Sequence, residues 1–193
     1  MFREVCVDDD YNISQIKPGM VIVDAGAHIG TFTLLASKMV GNQGKVIAIE
    51  PERNSFGQLT KNLELNKIKN VIPVNIGLSD FNGNKDFFVD KESACNSFTL
   101  NFGRQITNKL SIKVKTLDSV LQEININKVD FLKIDTEGAE LEILKGAQQS
   151  IIGSPEIKMV IAAYHYPKEK EEVFQYLKNL KFSPKILGDL IVI

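Results

Sequence analysis

The amino-acid sequence predicts an α/β fold, a Rossmann-like, three-layer α/β/α domain around a mostly parallel sheet. Apolar, β-branched runs alternate with stretches of helical spacing, which is typical of parallel strands joined by right-handed crossovers. The runs VIVDA and KVIAIE are apolar almost throughout, as expected for strands that are buried on both faces of a sheet. Near the end of the chain, Gly188-Asp189 separates two short apolar runs and predicts a hairpin with an antiparallel edge strand.

The first half of the chain contains three predicted strands and two predicted helices. In the second helix, Phe56, Leu59 and Leu63 share one face, which indicates an amphipathic helix packed on the sheet. In chain order the predictions are a strand at 21–25, a helix at 31–40, a strand at 45–50, a helix at 52–66 and a strand at 71–76.

The second half repeats the alternation after an interruption. Between residues 80 and 115 the rhythm is lost, and two short strands, Lys85–Val89 and Ser111–Lys115, flank a long polar loop. A loop of this length inside a compact domain is usually functional or disordered. The later predictions are a strand at 129–135, a helix at 139–149, a strand at 157–163, a helix at 168–181 and short strands at 185–187 and 190–193.

Length and composition exclude several classes of protein. A chain of 193 residues with 44% hydrophobic and 24% charged residues is expected to form one globular domain, here residues 1–193. The 23 Lys and Arg residues nearly balance the 24 Asp and Glu residues, whereas a nucleic-acid binder usually carries a basic surface, so no nucleic-acid partner is expected.

Cysteine usage and hydropathy predict the compartment. Cys6 and Cys95 match no metal or redox spacing and are expected to be reduced thiols. No apolar stretch approaches the ~20 residues that span a bilayer. We therefore expect a cytoplasmic protein that does not associate with a membrane.

The segment Val21–Gly30 passes from a strand into a helix through a glycine-containing loop. Asp24 ends the strand before Gly26, and Gly30 opens the helix, which gives the pattern D-x-G-x-x-x-G. This spacing fits neither a dinucleotide fingerprint nor a Walker A loop. Glu50 ends the next strand, where an acidic residue can accept hydrogen bonds from both ribose hydroxyls of an adenosine. The pattern favours S-adenosyl-L-methionine, and the alternative is a turn that needs glycine only for packing.

Several motifs resemble class I methyltransferases, and more narrowly the FkbM-type family. The resemblance extends from Lys17 to about Leu180. It rests on VIVDAGAHIGTFT, AIEP, GLSD, TLDSV and, above all, VDFLKIDTEGAELEILKGA. It implies a seven-stranded sheet of order 3-2-1-4-5-7-6 with an antiparallel strand 7, and methyl transfer from S-adenosyl-L-methionine, typically to a hydroxyl oxygen.

The resemblance also implies roles for individual residues in cofactor binding. Glu50 would hold the ribose, and His28 stands where the family more often has Asn. The residues expected around the methionine and sugar are Asp24, Gly26, His28 and Gly30, and those expected beside the adenine are Leu78, Ser79 and Asp80.

Three further residues are predicted to act on the acceptor. Ligands of open parallel sheets bind beyond the carboxyl ends of the strands, where Asp135, Glu137 and His165 are expected to converge. A hydroxyl acceptor must lose a proton, so these side chains are candidate acid/base or acceptor-orienting groups. The alternatives are a helix N-terminus capped by Thr136, with the acidic residues at its positive end, and a hydrogen-bonded His165 at the rim. A further alternative is a divalent metal site formed by Asp135, Glu137 and His165, which would suit magnesium or manganese. Nothing in the spacing requires a metal, and none is expected.

The sequence thus predicts an S-adenosyl-L-methionine-dependent O-methyltransferase that acts on a hydroxyl of a small molecule or sugar. The alternatives are an RNA or protein methyltransferase on the same scaffold and a cofactor-binding module without catalysis. Few residues precede the first strand, so little material is expected for a lid. Acceptor recognition is therefore assigned to the excursion 80–115, to the corner Tyr164–Pro167, or to the second subunit of a homodimer.

Overall fold

The computed structural model of the protein describes residues 11–90 and 106–193. It contains ten strands and six α-helices within these ranges, preceded by a short 3-10 turn at Ile13–Gln15. The strands are β1 (Val21–Ala25), β2 (Lys45–Ile49), β3 (Val71–Val74), β4 (Gly77–Leu78), β5 (Gly83–Asp90), β6 (Ile106–Lys115), β7 (Phe131–Ile134), β8 (Lys158–Ala162), β9 (Lys185–Leu187) and β10 (Leu190–Val192). The helices are α1 (Thr31–Val40), α2 (Arg53–Leu65), α3 (Leu117–Glu123), α4 (Glu140–Gly146), α5 (Gln148–Ile152) and α6 (Glu169–Asn179).

Seven strands form the main sheet in the order β3-β2-β1-β7-β8-β10-β9. Numbered along the chain within this sheet, the order is 3-2-1-4-5-7-6, as predicted. Strands β1, β2, β3, β7 and β8 are parallel, and β10 runs antiparallel to both β8 and β9. The predicted α/β fold with an antiparallel strand 7 is therefore confirmed.

Both faces of the central strands are buried. On β1, Ile22 packs with Phe32 and Phe131 in one apolar cluster, whereas its neighbour Val23 packs with Leu132 in the cluster on the opposite face. Alternate side chains of a strand point to opposite faces, so an apolar strand fills two cores at once. This burial fixes the position of β1 and β7, whose carboxyl ends carry the glycine loop and Asp135.

The predicted strand at 71–76 ends already at Val74, and a separate short strand, β4, follows at Gly77–Leu78. The side-chain amide of Asn75 donates hydrogen bonds to the backbone oxygens of Glu50, at 2.8 Å, and Pro51, at 3.1 Å. Strand β3 ends just before this residue, and β4 pairs with β6 in a separate three-stranded sheet of order β4-β6-β5. The excursion 80–115 therefore contributes the antiparallel strands β5 and β6. The predicted polar loop between them falls on residues 91–105, which lie outside the described ranges.

The predicted helix at 139–149 is also two helices, α4 and α5. The carboxylate of Asp118 accepts hydrogen bonds from the backbone N–H groups of Gln149 and Ser150, at 3.0 and 2.8 Å, and so caps a new helix. Asp118 itself belongs to α3, a helix that the sequence did not predict. There Thr116 is the N-cap, with its hydroxyl oxygen accepting from the backbone N–H of Ser119.

In the part of the chain that the structure describes, none of the helices has the length and apolar character needed to cross a bilayer. The expectations for Cys6, Cys95 and the loop before Ile106 concern residues outside the described ranges.

Candidate active site

The glycine loop packs directly against the backbone of Asp135. Gly26 has a φ of +80°, and a Cβ atom at this position would lie 1.9 Å from the carbonyl oxygen of Asp135. Its N–H donates to the carbonyl oxygen of Ile49. A side chain has neither the backbone conformation nor the space that it needs here, so Gly26 brings the ends of β1 and β7 into contact.

His28 and Gly30 complete the turn into α1. Gly30 has a φ of +92°, and a Cβ there would lie 2.5 Å from Leu59 Cδ1. His28 also has a left-handed backbone, with a φ of +51°, and both of its ring nitrogens are buried without a hydrogen-bond partner. Burial lowers the pKa of His28, so its imidazole is neutral at physiological pH. Buried, unpaired nitrogens of this kind are suited to a polar ligand group.

Glu50 lies beneath this loop, at the end of β2. Its Oε2 accepts from the N–H of His28 and its Oε1 from the N–H of Glu52, each at 2.8 Å. Burial raises the pKa of Glu50 to about 7, although both hydrogen bonds and the charge of Lys133 favour ionisation. Each carboxylate oxygen has a further lone pair, so Glu50 can still accept bonds from ribose hydroxyls.

Asp24 is completely buried and pairs with a lysine that sequence reasoning missed. Its Oδ1 lies 3.0 Å from Lys133 Nζ, and its Oδ2 accepts from the hydroxyl of Thr33 at 2.6 Å. Lys133 Nζ also donates to the carbonyl oxygen of Gly26 at 2.8 Å. Burial opposes the charge of Lys133, but Asp24 and Asp135 hold its pKa above the usual value. Asp24 therefore acts on the glycine loop through Lys133, and its contact with a cofactor stays a prediction.

Tyr11 positions Asp135. The Tyr11 hydroxyl donates to Asp135 Oδ2 at 2.6 Å, and its ring packs edge-on against Phe32 and lies 5.4 Å from Lys133 Nζ. The sequence predicted little material for a lid before the first strand. Tyr11, which precedes that strand, nevertheless reaches the carboxylate of Asp135.

His165 is enclosed by carboxylates. Its Nε2 lies 3.9 Å from Asp135 Oδ1 and 3.9 Å from Glu137 Oε2, so the three predicted acceptor-side residues do converge. Its Nδ1 faces Glu140 Oε1 at 3.5 Å and Glu169 Oε2 at 3.3 Å, two buried residues that the sequence did not single out for this site. Burial opposes protonation, but these two carboxylates raise the pKa of His165 to about 10. The imidazole is therefore protonated at neutral pH and is not available as a general base.

The segment between β7 and α4 does not form the expected capped helix start. Helix α4 begins at Glu140, with Ala139 as its N-cap. Thr136 instead donates to Glu140 Oε1 through its N–H, at 2.8 Å, and through its hydroxyl, at 3.1 Å. The interpretation of Thr136 as a helix cap is thus wrong. Glu137 takes a left-handed φ of +59°, which for a non-glycine residue costs of order 1 kcal/mol.

The predicted adenine-side residues lie together, next to α4. Leu78 and Ser79 are buried, and Asp80 is exposed. The Ser79 hydroxyl donates to Glu142 Oε2 at 3.0 Å, and a Cβ at Gly146 would lie 2.2 Å from the Ser79 carbonyl oxygen. This packing fixes their backbone, and their contact with adenine stays a prediction.

The residues present fit S-adenosyl-L-methionine. Gly26 and Gly30 shape a loop in which a side chain would clash, His28 contributes unpaired buried nitrogens, and Glu50 contributes a carboxylate with free lone pairs. When bound, the cofactor would supply the methyl group as an electrophilic sulfonium methyl. Asp135 faces this loop from the neighbouring strand.

Comparison with known proteins places this chain in a family. The model for "Methyltransferase FkbM domain" matches residues 24–184. The chain is 30% identical over 162 residues to Methyltransferase 1 of Beauveria bassiana, covering 75% of this chain and 65% of that protein. It is 29% identical over 168 residues to the hexuronic acid methyltransferase AglP of Haloferax volcanii, covering 86% of this chain and 64% of that protein.

A solved structure supports the fold. Methyltransferase FkbM from Methylobacillus flagellatus superposes with a TM-score of 0.67 at 21% identity, over 90% of this chain and 43% of that one. The family match confirms the predicted resemblance and, with it, S-adenosyl-L-methionine as the methyl donor, whereas the superposition supports the fold alone. The chain spans about two thirds of the length of these two curated relatives.

Proposed function

Because the chain belongs to the methyltransferase FkbM domain family, we propose that it transfers the methyl group of S-adenosyl-L-methionine to an oxygen of a small molecule or sugar. One observation carries this proposal. Gly26, in the loop that fits the cofactor, packs on the backbone of Asp135, whose carboxylate is partly exposed and fixed by Tyr11. Donor loop and acceptor-side carboxylate therefore adjoin at the carboxyl ends of β1 and β7.

This arrangement matches what methyl transfer to oxygen requires. The reaction is an in-line displacement, so the acceptor oxygen must be held roughly 3 Å from the methyl carbon. Asp135 orients the acceptor hydroxyl and takes its proton as the new oxygen–carbon bond forms. Tyr11 holds the carboxylate in place through Oδ2, and Oδ1 faces the interior of the site.

Glu137 and His165 have supporting roles in this proposal. The protonated His165 neutralises part of the surrounding carboxylate charge and fixes the corner after β8. Glu137 lies on the partly exposed side of the imidazole and is placed to contact a polar acceptor. The proton itself moves to Asp135, because His165 already carries both of its protons at neutral pH.

One comparison supports a small polar acceptor. The name of one relative, the hexuronic acid methyltransferase, describes methylation of a sugar acid. The hairpin of β5 and β6 borders a groove of about 380 Å³, whose opposite wall includes Pro51–Asn54 and Asn75. This groove adjoins the end of β2 and is not lined by Asp135, Glu137 or His165, so the excursion 80–115 stays a prediction as the acceptor-side wall.

Transfer of an isotope-labelled methyl group tests the proposal. The chain is incubated with ¹³C-methyl S-adenosyl-L-methionine and a panel of hexuronic acids, hexoses and polyols, and the products are analysed by heteronuclear NMR. An O-methyl or methyl-ester carbon resonance supports the proposal, and the same reaction with Asp135→Asn is the control. An N-methyl product, or labelling of RNA or protein but of no small molecule, would contradict it. Binding of S-adenosylhomocysteine without labelling of any acceptor would favour a non-catalytic module.

A further inference from the structure

Two buried carboxylates share one histidine at the acceptor side of the crevice. Glu140 and Glu169 are both 0% exposed, and among the described residues the only cationic group within 4 Å of either carboxylate is His165. Asp135 and Glu137 approach the same imidazole from its other edge. Buried carboxylates without compensation are strongly destabilising, and either a proton or a bound cation can supply that compensation.

The polar atoms of the cluster are poorly satisfied. Both ring nitrogens of His165, Glu140 Oε2 and Glu169 Oε1 are buried and have no hydrogen-bond partner. The side chain of His165 is 1% exposed, so solvent does not replace the missing bonds. Buried polar atoms are almost always paired. His165 Nε2 lies 3.9 Å from both Asp135 Oδ1 and Glu137 Oε2, which is too far for a direct hydrogen bond, so this nitrogen is open to a ligand.

The donor atoms have the separations of a metal site. One nitrogen of His165 and one carboxylate oxygen each of Asp135 and Glu140 lie within 4.8 Å of one another. Ligands at about 2.1 Å from one ion lie roughly 3.0–3.4 Å apart when they are adjacent in an octahedral or tetrahedral site, so the side chains must move together by up to about 1.5 Å when the ion binds. Tyr11 holds Asp135 Oδ2, and the other carboxylate oxygen, Oδ1, lies 3.9 Å from His165 Nε2.

We propose that Asp135, Glu140 and His165 bind a divalent transition-metal cation, which replaces one of the two protons that His165 carries in the metal-free protein. A set of two carboxylates and one imidazole suits Mn²⁺ or Zn²⁺, whereas Mg²⁺ prefers oxygen ligands alone. The cation reaches the site from the side of Asp135 and Glu137, whose side chains are 18% and 22% exposed. Its open positions bind and orient the oxygen of the methyl acceptor. The binding site stands on geometry alone, and this catalytic role rests on the proposed function.

Manganese binding to the chelator-treated protein tests the site. Free Mn²⁺ is followed by electron paramagnetic resonance, with Zn²⁺ as competitor, and pulsed measurements detect ¹⁴N coupling from a ligated imidazole. We expect one Mn²⁺ per chain, ¹⁴N coupling, and a Kd weakened by at least about tenfold in Asp135→Asn and His165→Gln. Glu172→Gln, an exposed glutamate that contacts Tyr166, is the matched control and should bind Mn²⁺ as the wild type does.

Two outcomes would overturn the inference. One is the absence of Mn²⁺ and Zn²⁺ binding at millimolar concentration, which would mean that protons alone balance the buried carboxylates. The other is Mn²⁺ binding without ¹⁴N coupling, which would place the ion on surface carboxylates. The ¹⁴N measurement uses the wild type, so it decides even where a variant fails to fold. Binding of S-adenosylhomocysteine is measured separately in the presence of chelator, and it tests the proposed function without testing the metal.

Discussion

Asp24 and Lys133 are register partners on the adjacent strands β1 and β7, and their side chains form an ion pair of 3.0 Å inside the core. The same lysine donates to the carbonyl oxygen of Gly26. The pair therefore links the sheet to the glycine loop. The backbone of that loop is held by the ammonium group of Lys133, which lies on the adjacent strand.

Replacing this lysine should destabilise the protein. Lys133→Met leaves Asp24 buried and without its cation, and breaking such a pair costs about 3–5 kcal/mol of unfolding free energy. Urea denaturation measures the loss. The double variant Asp24→Leu/Lys133→Met should recover much of it, since an apolar pair needs no charge compensation. Lys128→Met is the control, because Lys128 pairs with Asp130 at the surface and its loss should change little. Equal effects of the two lysine substitutions would contradict this view.

Cofactor affinity should depend on the ionisation of Glu50. The free carboxyl has a pKa of about 7, and the carboxylate form accepts ribose hydroxyls. Below this pKa the binding-competent fraction falls, so the Kd for S-adenosylhomocysteine should weaken about tenfold between pH 8 and pH 6.

Calorimetry across this range measures the effect, with Glu50→Gln as the control. The glutamine variant has no charge to lose and should bind weakly at every pH. A flat profile for the wild type would show that Glu50 does not hold the ligand.

The lack of space for a side chain at Gly26 can be tested with Gly19 as the control, because the two glycines have similar backbone conformations. Gly26→Ala places a Cβ against the Asp135 carbonyl, whereas Gly19, with a φ of +85°, has no atom within 4 Å of the corresponding position. Both variants incur backbone strain of about 1–2 kcal/mol. Only Gly26→Ala should also abolish binding of S-adenosylhomocysteine, as measured by calorimetry. Equal binding by the two variants would show that the close contact between the glycine loop and Asp135 is not needed for cofactor binding.

Tyr11 should matter for turnover and not for cofactor affinity. Tyr11→Phe removes the hydrogen bond to Asp135 Oδ2, and a bond to a charged group contributes about 1.5–3 kcal/mol. If that energy positions the carboxylate for the reaction, kcat should fall by roughly tenfold to a hundredfold. Tyr176→Phe is the control, since its hydroxyl contacts only the carbonyl of Leu144 and the amide of Gln148, at 3.4 Å. A loss of cofactor affinity with unchanged kcat would be the contrary result.

Sequence periodicity predicted the sheet because burial on both faces leaves a clear signal. The limits of β1 and α1 match the prediction, and the hairpin at Gly188 follows from its turn residues. The end of β3 at Val74 and the break between α4 and α5 at Ala147 were not predicted, because they depend on the long-range hydrogen bonds of Asn75 and Asp118. Such tertiary contacts override local propensity and leave no local pattern.

The parts of the candidate site that could be predicted are the charged residues at the ends of apolar strands. The convergence of Asp135, Glu137 and His165 followed from the geometry of parallel strands. Lys133 was missed although a signal existed, since a lysine in an apolar strand requires a buried partner and Asp24 is the acid on the adjacent strand. Tyr11 and Glu169 had no such signal, because only the folded chain brings them to Asp135 and His165.

Whether Asp135 takes the proton of the acceptor is tested by the single-turnover rate of methyl transfer in Asp135→Asn. The variant is loaded with S-adenosyl-L-methionine and given the acceptor identified by labelling. The substitution keeps the shape of the side chain and the backbone contact with Gly26, and it removes the group that takes the proton. The account predicts a rate at least about a hundredfold below the wild type, with the affinity for S-adenosylhomocysteine unchanged. A wild-type rate in this variant would contradict it.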